Sequence, residues 1–445
     1  MSKTFSIGGI HPNDYKISSD AAIEDFPLMD MAYISVSQHL GAPSEPIVSK
    51  GDRVKTGQLI ARSSGFISAN IHSSVSGEVT GIDLLPDLAG NMVKHIVIKV
   101  DGDEWVDTID KSPDIVKEIT LSSSEILERI AEAGVVGLGG AAFPTHIKLS
   151  PPPNKKADYL LINGAECEPY LTSDYRIMVE NPEQILIGTK IMMKALGVEK
   201  GVVGIEENKP VAIKKMKQIA SLNYKEIKIV SLKKRYPQGG EKQLIDAILK
   251  RRVPSMALPI DVGVVVQNVG TALAVYEAVQ KNKPLFEGIV TVTGKCMKEQ
   301  RNFRLRVGTN FNRIMFAIGG FPKDAEKLIS GGPMMGKAVS DMNAASVKST
   351  SAFLLLTESE TKRGEEISCI RCAKCVDVCP MGLEPYLLNR LSRAGRMEEL
   401  EINMVHDCIE CGSCMYTCPS NVPLLDTIRL SKSQVIKIIR SRPKK

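Results

Sequence analysis

The sequence predicts a multidomain α/β chain: a β-rich N-terminal domain, an open parallel α/β domain, a small β-rich module and a mainly helical, cysteine-rich end. Three observations predict it. Turn signals punctuate the first hundred residues. Apolar β-branched runs alternate with helical periods from about 120 to 280. Eight of the ten cysteines fall between 369 and 418. At 445 residues the chain also exceeds the size at which one hydrophobic core stops growing, so several domains follow.

Composition narrows the function. Apolar residues at 43% and charged residues at 24% describe an ordinary globular protein. A net charge of +6 over this length gives no concentrated basic face, so nucleic acid is excluded as a partner. The one basic bias, 431–445, reads as a solvated helix end. The N-terminus MSKTFSIGG has no basic stretch followed by an apolar run, so no signal peptide is expected. The best candidate for a membrane span, 262–279, is interrupted by Gln267, Asn268 and Glu277, whereas a span needs about 20 mostly apolar residues. The chain is expected to stay in the cytoplasm and, if it serves a membrane, to do so through partners.

Residues 1–105 alternate short segments with turns at Gly51-Asp52, Gly57-Gln58 and Ser76-Gly77. The pattern resembles the barrel-sandwich domain of biotinyl and lipoyl carriers. The carrier lysine is missing, because the hairpin position reads FISAN, Phe66 to Asn70. A structural barrel without a covalent cofactor is expected. Residues 115–283 begin with a helix carrying Ile126, Leu127, Ile130 and Ala131 on one face. The runs ADYLLING, GVVGI, IKIVSL and VGVVV read as buried parallel strands, with three helical segments between them. Alternation of that kind implies an open parallel sheet. Residues 284–345 read as a small β-grasp-like module with one helix. Residues 360–430 form the cysteine domain, with Leu387, Leu388, Leu391 and Met397 at helical spacing.

The strongest motif is CIRCAKCVDVCP, repeated as CIECGSCMYTCP. Each copy is C-x2-C-x2-C-x3-C-P. Three cysteines on a tight loop wrap three corners of a four-iron cubane, and the fourth, before proline, ligates the other cluster. One [4Fe–4S] cluster then takes Cys369, Cys372, Cys375 and Cys418, and the other takes Cys408, Cys411, Cys414 and Cys379. C-x2-C is also a zinc spacing. Zinc does not explain a third cysteine at the same interval and a fourth before proline, twice over. Of the two cysteines outside the repeat, Cys167 and Cys296, the latter reads as a small buried hydrophobe.

Gly137, Gly139 and Ala142 formally match G-x-G-x-x-A, but the run follows a helix where a dinucleotide fingerprint follows a strand. Its glycines still let backbone N–H groups approach a phosphate or a ring edge. The strand ADYLLIN ends in Gly164-Ala165-Glu166-Cys167-Glu168-Pro169, and ligands of open α/β sheets bind beyond such ends. Acidic groups there suit ribose hydroxyls or a flavin edge, and equally a solvated turn.

GLGGAAFPTHIKL followed by YLLINGAECEP resembles the flavin and NADH domain of the respiratory complex I flavoprotein subunit, as do QGGEKQL and VVQNVGT. The resemblance implies FMN contacts from Gly137, Gly139, Gly140, Lys148, Asn163, Glu166, Gly240, Glu241, Asn268 and Thr271. It implies dinucleotide contacts from Phe143 and Glu168. One departure is Lys242, where complex I has a second Glu after the Gly-Glu pair. The whole module order is similar to the C subunits of the Rnf ion-translocating ferredoxin:NAD oxidoreductase family. That resemblance implies membrane subunits of the same complex as partners, with ferredoxin or an iron–sulfur subunit in the electron path. The segment EENKP, Glu206 to Pro210, also suits that family, and on its own reads as a helix start capped by Asn208.

The combination has a chemical logic. NAD(H) exchanges a hydride, a cluster takes one electron, and a flavin converts between them. Hydride transfer needs no general acid or base, so no catalytic side chain is expected, though Glu166 stands where it would tune a flavin. The alternatives are a cobalamin reductase-like flavoprotein of microcompartments, a non-catalytic iron–sulfur relay, and a zinc scaffold.

Overall fold

The computed structural model describes residues 2–442, so the last three residues of the basic 431–445 segment lie outside the described residues. Short strands build the N-terminal domain. Met31–Ser35, Met92–Val100, Gly77–Pro86 and Arg53–Val54 form one antiparallel sheet, and Glu45–Pro46, Leu59–Arg62 and Ile71–His72 form a second. Ile34, Ile60, Ile71, Ile96 and Ile98 meet between them, fully buried. Phe66 is 85% exposed in the connection where a carrier hairpin would carry its lysine.

Four parallel strands make the α/β sheet, in the order Ile227–Leu232, Gly201–Glu206, Tyr159–Gly164, Val264–Asn268. Every residue of Gly201–Glu206 and Val264–Asn268 is buried, which is why their sequences are apolar runs without alternation. Asn163 is level with Gly204 on one side and Asn268 on the other, so the carboxyl ends form one edge. Helix Ser123–Glu132 starts at a reciprocal capping box between Ser122 and Glu125 and buries Ile126 and Ile130. Helix Pro182–Leu196 crosses helix Val269–Gln280 at Gly188, where an added Cβ would lie 1.9 Å from the Ala272 carbonyl oxygen. The apolar run 262–279 is therefore a core strand followed by a core helix. No helix among the described residues is long and apolar enough to cross a membrane.

The EENKP segment differs from expectation. Helix Pro210–Asn223 does begin with proline in its first turn, but Lys209 is the cap residue and no side chain caps the helix. Asn208 instead donates from Nδ2 to Asp14 Oδ2 at 3.3 Å.

The next sheet runs Ile23–Asp25, Arg301–Arg306, Glu287–Thr293, Ala352–Thr357, Ala325–Ser330, Lys337–Ala338, with helix Phe311–Ala317. It thus reaches past residue 345. Ala352–Thr357, buried at five of six positions, pairs with Glu287–Thr293 on one side and Ala325–Ser330 on the other, and Ile23–Asp25 adds an edge from the far end of the chain.

The cysteine domain is helical: Lys374–Asp377, Pro385–Arg393, Met397–Ile402, Ser413–Tyr416 and Leu424–Ser441. Leu388, Leu391, Leu400, Ile428 and Val435 form its core, with Leu387 and Met397 at the margin. The expected solvated basic end is the second half of helix Leu424–Ser441. Lys432, at the middle of that helix, is anchored: it donates to the Cys408 carbonyl at 2.7 Å and pairs with Glu410 at 2.8 Å.

Candidate functional site

The carboxyl edge of the parallel sheet gathers most of the residues that the resemblance implicates. Asn163, the penultimate residue of the strand Tyr159–Gly164, donates from Nδ2 to the Gly239 carbonyl at 2.8 Å, which ties this strand to the loop holding Gly240. Asn268 caps helix Val269–Gln280 by accepting the Gly270 N–H at 2.7 Å, and its Nδ2 donates to Asp174 at 2.8 Å. The glycine run folds onto this edge. The Leu138 N–H donates to Thr271 Oγ1 at 3.0 Å, and the Gly137 N–H to the Phe143 carbonyl at 2.9 Å. Gly139 is pressed on Asn268, since an added Cβ would lie 2.7 Å from its Nδ2; at Gly140 an added Cβ meets nothing within 4 Å. Lys148 pairs with Glu241 at 2.6 Å across the same side.

This set fits a phosphorylated flavin. Gly139 and Gly140 are exposed beside the start of helix Val269–Gln280, a place where backbone N–H groups and the helix dipole favour an anion. Lys148 adds a cation. Thr271 is fully buried and Asn163 half-buried, so these two hold loops in place.

The acidic turn behaves differently from a solvated one. The Glu166 carboxylate accepts the N–H groups of Asp174, at 2.7 Å, and Tyr175, at 3.3 Å, at the start of helix Ser173–Glu180. Burial raises its pKa, against the pull of Lys16 at 3.9 Å. Lys16 arrives from the N-terminal arm and donates to the carbonyls of Glu166, Glu168 and Leu171. Lys209 donates to the Ala165 carbonyl at 2.7 Å and pairs with buried Glu206. The turn is thus cross-linked by buried Lys209 and half-buried Lys16. Glu168 accepts the N–H groups of Met334, at 3.1 Å, and Met335, at 2.8 Å, in the β-grasp-like region, and burial pushes its pKa up to about 7. Sequence reasoning does not find Lys16, which is distant in the chain. Lys209 stands inside the EENKP segment, where the sequence makes it look like part of a cap.

Seven of the eight cysteines of the repeat fall into two groups, and none of the ten forms a disulfide. Cys414 lies near Cys408, Cys411 and Cys379, whose charges add to burial in raising its pKa. Cys408, pushed up to about 11 by burial, has Cys411 and Cys379 as neighbours. Burial raises Cys375 as well, and Cys418 and Cys369 act in the same sense. Cys379 therefore stands with the second repeat and Cys418 with the first. Cys372 is exposed, as is Cys369. An apolar cavity is lined by Cys379, Cys408, Cys411 and Cys414 together with Pro380, Leu388 and Ile428. Among the described residues no three His, Cys, Asp or Glu groups converge on a single ion position. Four thiols around an apolar hollow suit a cubane, and bound iron would hold them as thiolates against the pull of burial.

Of the two cysteines outside the repeat, Cys296 packs half-buried on the β module core, its thiol 3.7 Å from the Leu355 carbonyl. Cys167 has a more pointed place. Its Sγ accepts the Gly239 N–H at 3.3 Å, and it packs with Tyr236 and Cys411. Burial raises its pKa strongly, which keeps it a thiol.

The flavin-side loop and the cysteine domain meet directly. Tyr236 donates its O–H to the Cys411 carbonyl at 2.8 Å. Gln243 Nε2 donates to the Pro380 carbonyl at 3.2 Å, and the Gly9 N–H to the Val378 carbonyl at 2.8 Å.

Comparison with known proteins gives these modules the same order. Residues 3–103 match the RnfC barrel sandwich hybrid domain, 130–277 the Nuo51 FMN-binding domain, 289–338 the SLBB domain and 362–421 the 4Fe-4S dicluster domain. The C subunit of a proton-translocating ferredoxin:NAD(+) oxidoreductase complex of Clostridium ljungdahlii is 48% identical over 401 residues, covering 90% of this chain and 86% of its own. The C subunit of the Na(+)-translocating complex of Acetobacterium woodii is 44% identical over 437 residues, covering 96% of each. The C subunit of an ion-translocating oxidoreductase complex of Rhodobacter capsulatus is 42% identical over 443 residues, covering 97% of this chain and 84% of its own. An NAD+-reducing [NiFe]-hydrogenase in its H2-reduced state shares the fold with a TM-score of 0.50 at 16% identity, over 73% of this chain and 63% of that one. Four modules in one order, with relatives that align over nearly the full length, have one reading: the chain belongs to the C-subunit family of the Rnf ion-translocating ferredoxin:NAD(+) oxidoreductase complexes.

Proposed function

We propose that this chain is the peripheral electron-transfer subunit of an ion-translocating ferredoxin:NAD+ oxidoreductase, on the cytoplasmic side of the membrane. It exchanges electrons between NAD(H) and one-electron carriers by way of FMN and two [4Fe–4S] clusters. The observation that carries this reading is the direct packing of the loop at 236–243 on the cysteine domain, which joins a flavin-type cradle to eight cysteines in one body.

Gly137, Gly139, Gly140, Gly240, Glu241 and Lys148 face the FMN, while Asn163, Asn268, Thr271 and Glu166 hold the loops that carry them. Phe143 lies on the dinucleotide side. Glu168 acts by fastening the acidic turn to residues 334–335. Bound FMN accepts a hydride and releases electrons singly, which no side chain here can do. The chain's own part is to bind, to exclude water and to hold distances. One cluster sits on Cys379, Cys408, Cys411 and Cys414, and the other on Cys369, Cys372, Cys375 and Cys418. Ion movement belongs to the membrane subunits with which this chain assembles.

Anaerobic reconstitution tests the reading. About eight irons per chain, from two four-iron clusters, one bound FMN and bleaching of that flavin by NADH are the expected results. Zinc in place of iron would end it, and full iron with no NADH-dependent bleaching would leave only a relay.

A further inference from the structure

The two cysteine groups stand in unequal relation to the flavin-side domain. Among the described residues, hydrogen bonds from the α/β domain into the cysteine-bearing segments end at Cys411, Pro380, Met381 and Asp407. Three of these four are, or directly adjoin, a cysteine of one group: Cys411 itself, Cys379 before Pro380, and Cys408 after Asp407. Met381 follows Pro380 in the same loop. The other group has Cys369 and Cys372 exposed.

Tyr236 is central to that contact. Its ring is 1% exposed and packs with Ile10, Cys167 and Cys411. The cradle loop starts at the next residue, and its Gly239 bonds to both Asn163 and Cys167. The phenol therefore bridges the last turn of the flavin side and the Cys411 peptide. A donor aimed at a cluster-bearing peptide also places the positive end of its dipole toward the cluster, which favours the reduced form.

We propose that Tyr236 is a positioning residue that holds the cluster of Cys379, Cys408, Cys411 and Cys414 at the flavin site. That cluster is then the first acceptor, and the cluster of Cys369, Cys372, Cys375 and Cys418 is the exit to a partner. The inference rests on the proposed function. The balance is simple: NADH and two oxidised clusters give NAD+, one proton and two singly reduced clusters, the first cluster passing one electron on before taking the next.

The test uses the reconstituted full chain carrying Tyr236→Phe, which keeps the ring and removes only the O–H, and Gln243→Leu as a second variant on the same contact. Cluster potentials are read by electron paramagnetic resonance during titration with chemical reductants, so the reading does not depend on NADH. One cluster's reduction equilibrium should move by up to about tenfold toward the oxidised form, 59 mV for one electron, and the other's should not move. The shifted signal should vanish in Cys379→Ser and persist in Cys418→Ser. In rapid mixing with NADH, cluster reduction should slow several-fold while flavin bleaching keeps its rate. A shift confined to the signal lost in Cys418→Ser overturns the order, and unmoved potentials in both variants overturn the role of Tyr236. Failure of NADH to bleach the unmodified flavin would count against the proposed function instead, and the potentials would still decide this inference.

Discussion

Gly8 lies on the N-terminal arm, far from any motif, yet it should matter to the cysteine domain. Its φ is +67°, and an added Cβ would lie 2.4 Å from the Cys379 carbonyl carbon and oxygen and 2.7 Å from the Pro380 nitrogen. All three are backbone atoms, so no side-chain rotation can relieve the overlap. A left-handed conformation costs an alanine about 1–2 kcal/mol. Overpacking a close contact costs about 1–3 kcal/mol more. Gly8→Ala should therefore destabilise the contact by about 2–5 kcal/mol. The arm can answer by peeling away, which breaks the Gly9 N–H bond to Val378 and the Arg235 bonds to the Phe5 and Gly8 carbonyls. It can also answer by pushing the Cys379 loop. Either response should raise hydrogen exchange in residues 5–10 and make the cluster that includes Cys379 more labile to chelators than its neighbour. Thermal melting and iron retention followed together would measure both effects. A Gly8→Ala protein with unchanged melting, exchange and iron loss would refute the claim that the arm is clamped on Cys379.

Other expectations follow from particular contacts. Glu287 is buried among Lys283, Arg306 and Arg304; burial alone would raise its pKa, but the three cations pull it down to about 2 from an ordinary 4.5. A lowered carboxyl pKa stabilises the folded state above pH 4.5 and loses that contribution as pH falls toward 2, about 3 kcal/mol in all. Glu287→Gln should flatten the acid limb of the β module's unfolding and cost about 3–5 kcal/mol at neutral pH, as read by circular dichroism across pH. Lys148 and Glu241 form a partly exposed pair worth about 0–1 kcal/mol. Lys148→Met should leave melting nearly unchanged yet weaken FMN binding about tenfold or more, the scale of a charged hydrogen bond; equal loss of both would mark the pair as structural. Cys379→Ser should remove about four irons. Adding Cys411→Ser to it should remove no more, whereas adding Cys372→Ser should. Additive loss in the first double variant would contradict the crossed pairing.

Much of this molecule is legible in its sequence because the relevant physics is local. The repeat C-x2-C-x2-C-x3-C-P carries its residue type and spacing within a dozen residues, and in the structure Cys379 lines one cavity with Cys408, Cys411 and Cys414 of the second repeat. Apolar β-branched runs announce buried parallel strands, and the spacing of Ile126, Leu127, Ile130 and Ala131 announces a helix, which buries Ile126 and Ile130. The EENKP segment misleads at one residue, since Asn208 finds a better partner in Asp14 than in the helix it precedes. Tertiary packing decided the rest, through contacts between residues far apart in the chain. Ile23–Asp25 completes a sheet whose other strands begin at Glu287, and Lys16 inserts its ammonium into the turn at Glu166. Glu168 bonds to Met334 and Met335, and Tyr236 reaches Cys411. A side chain's type and its near neighbours determine what it can bind. Which distant backbone it meets depends on how whole modules close on one another, and no window of sequence contains that.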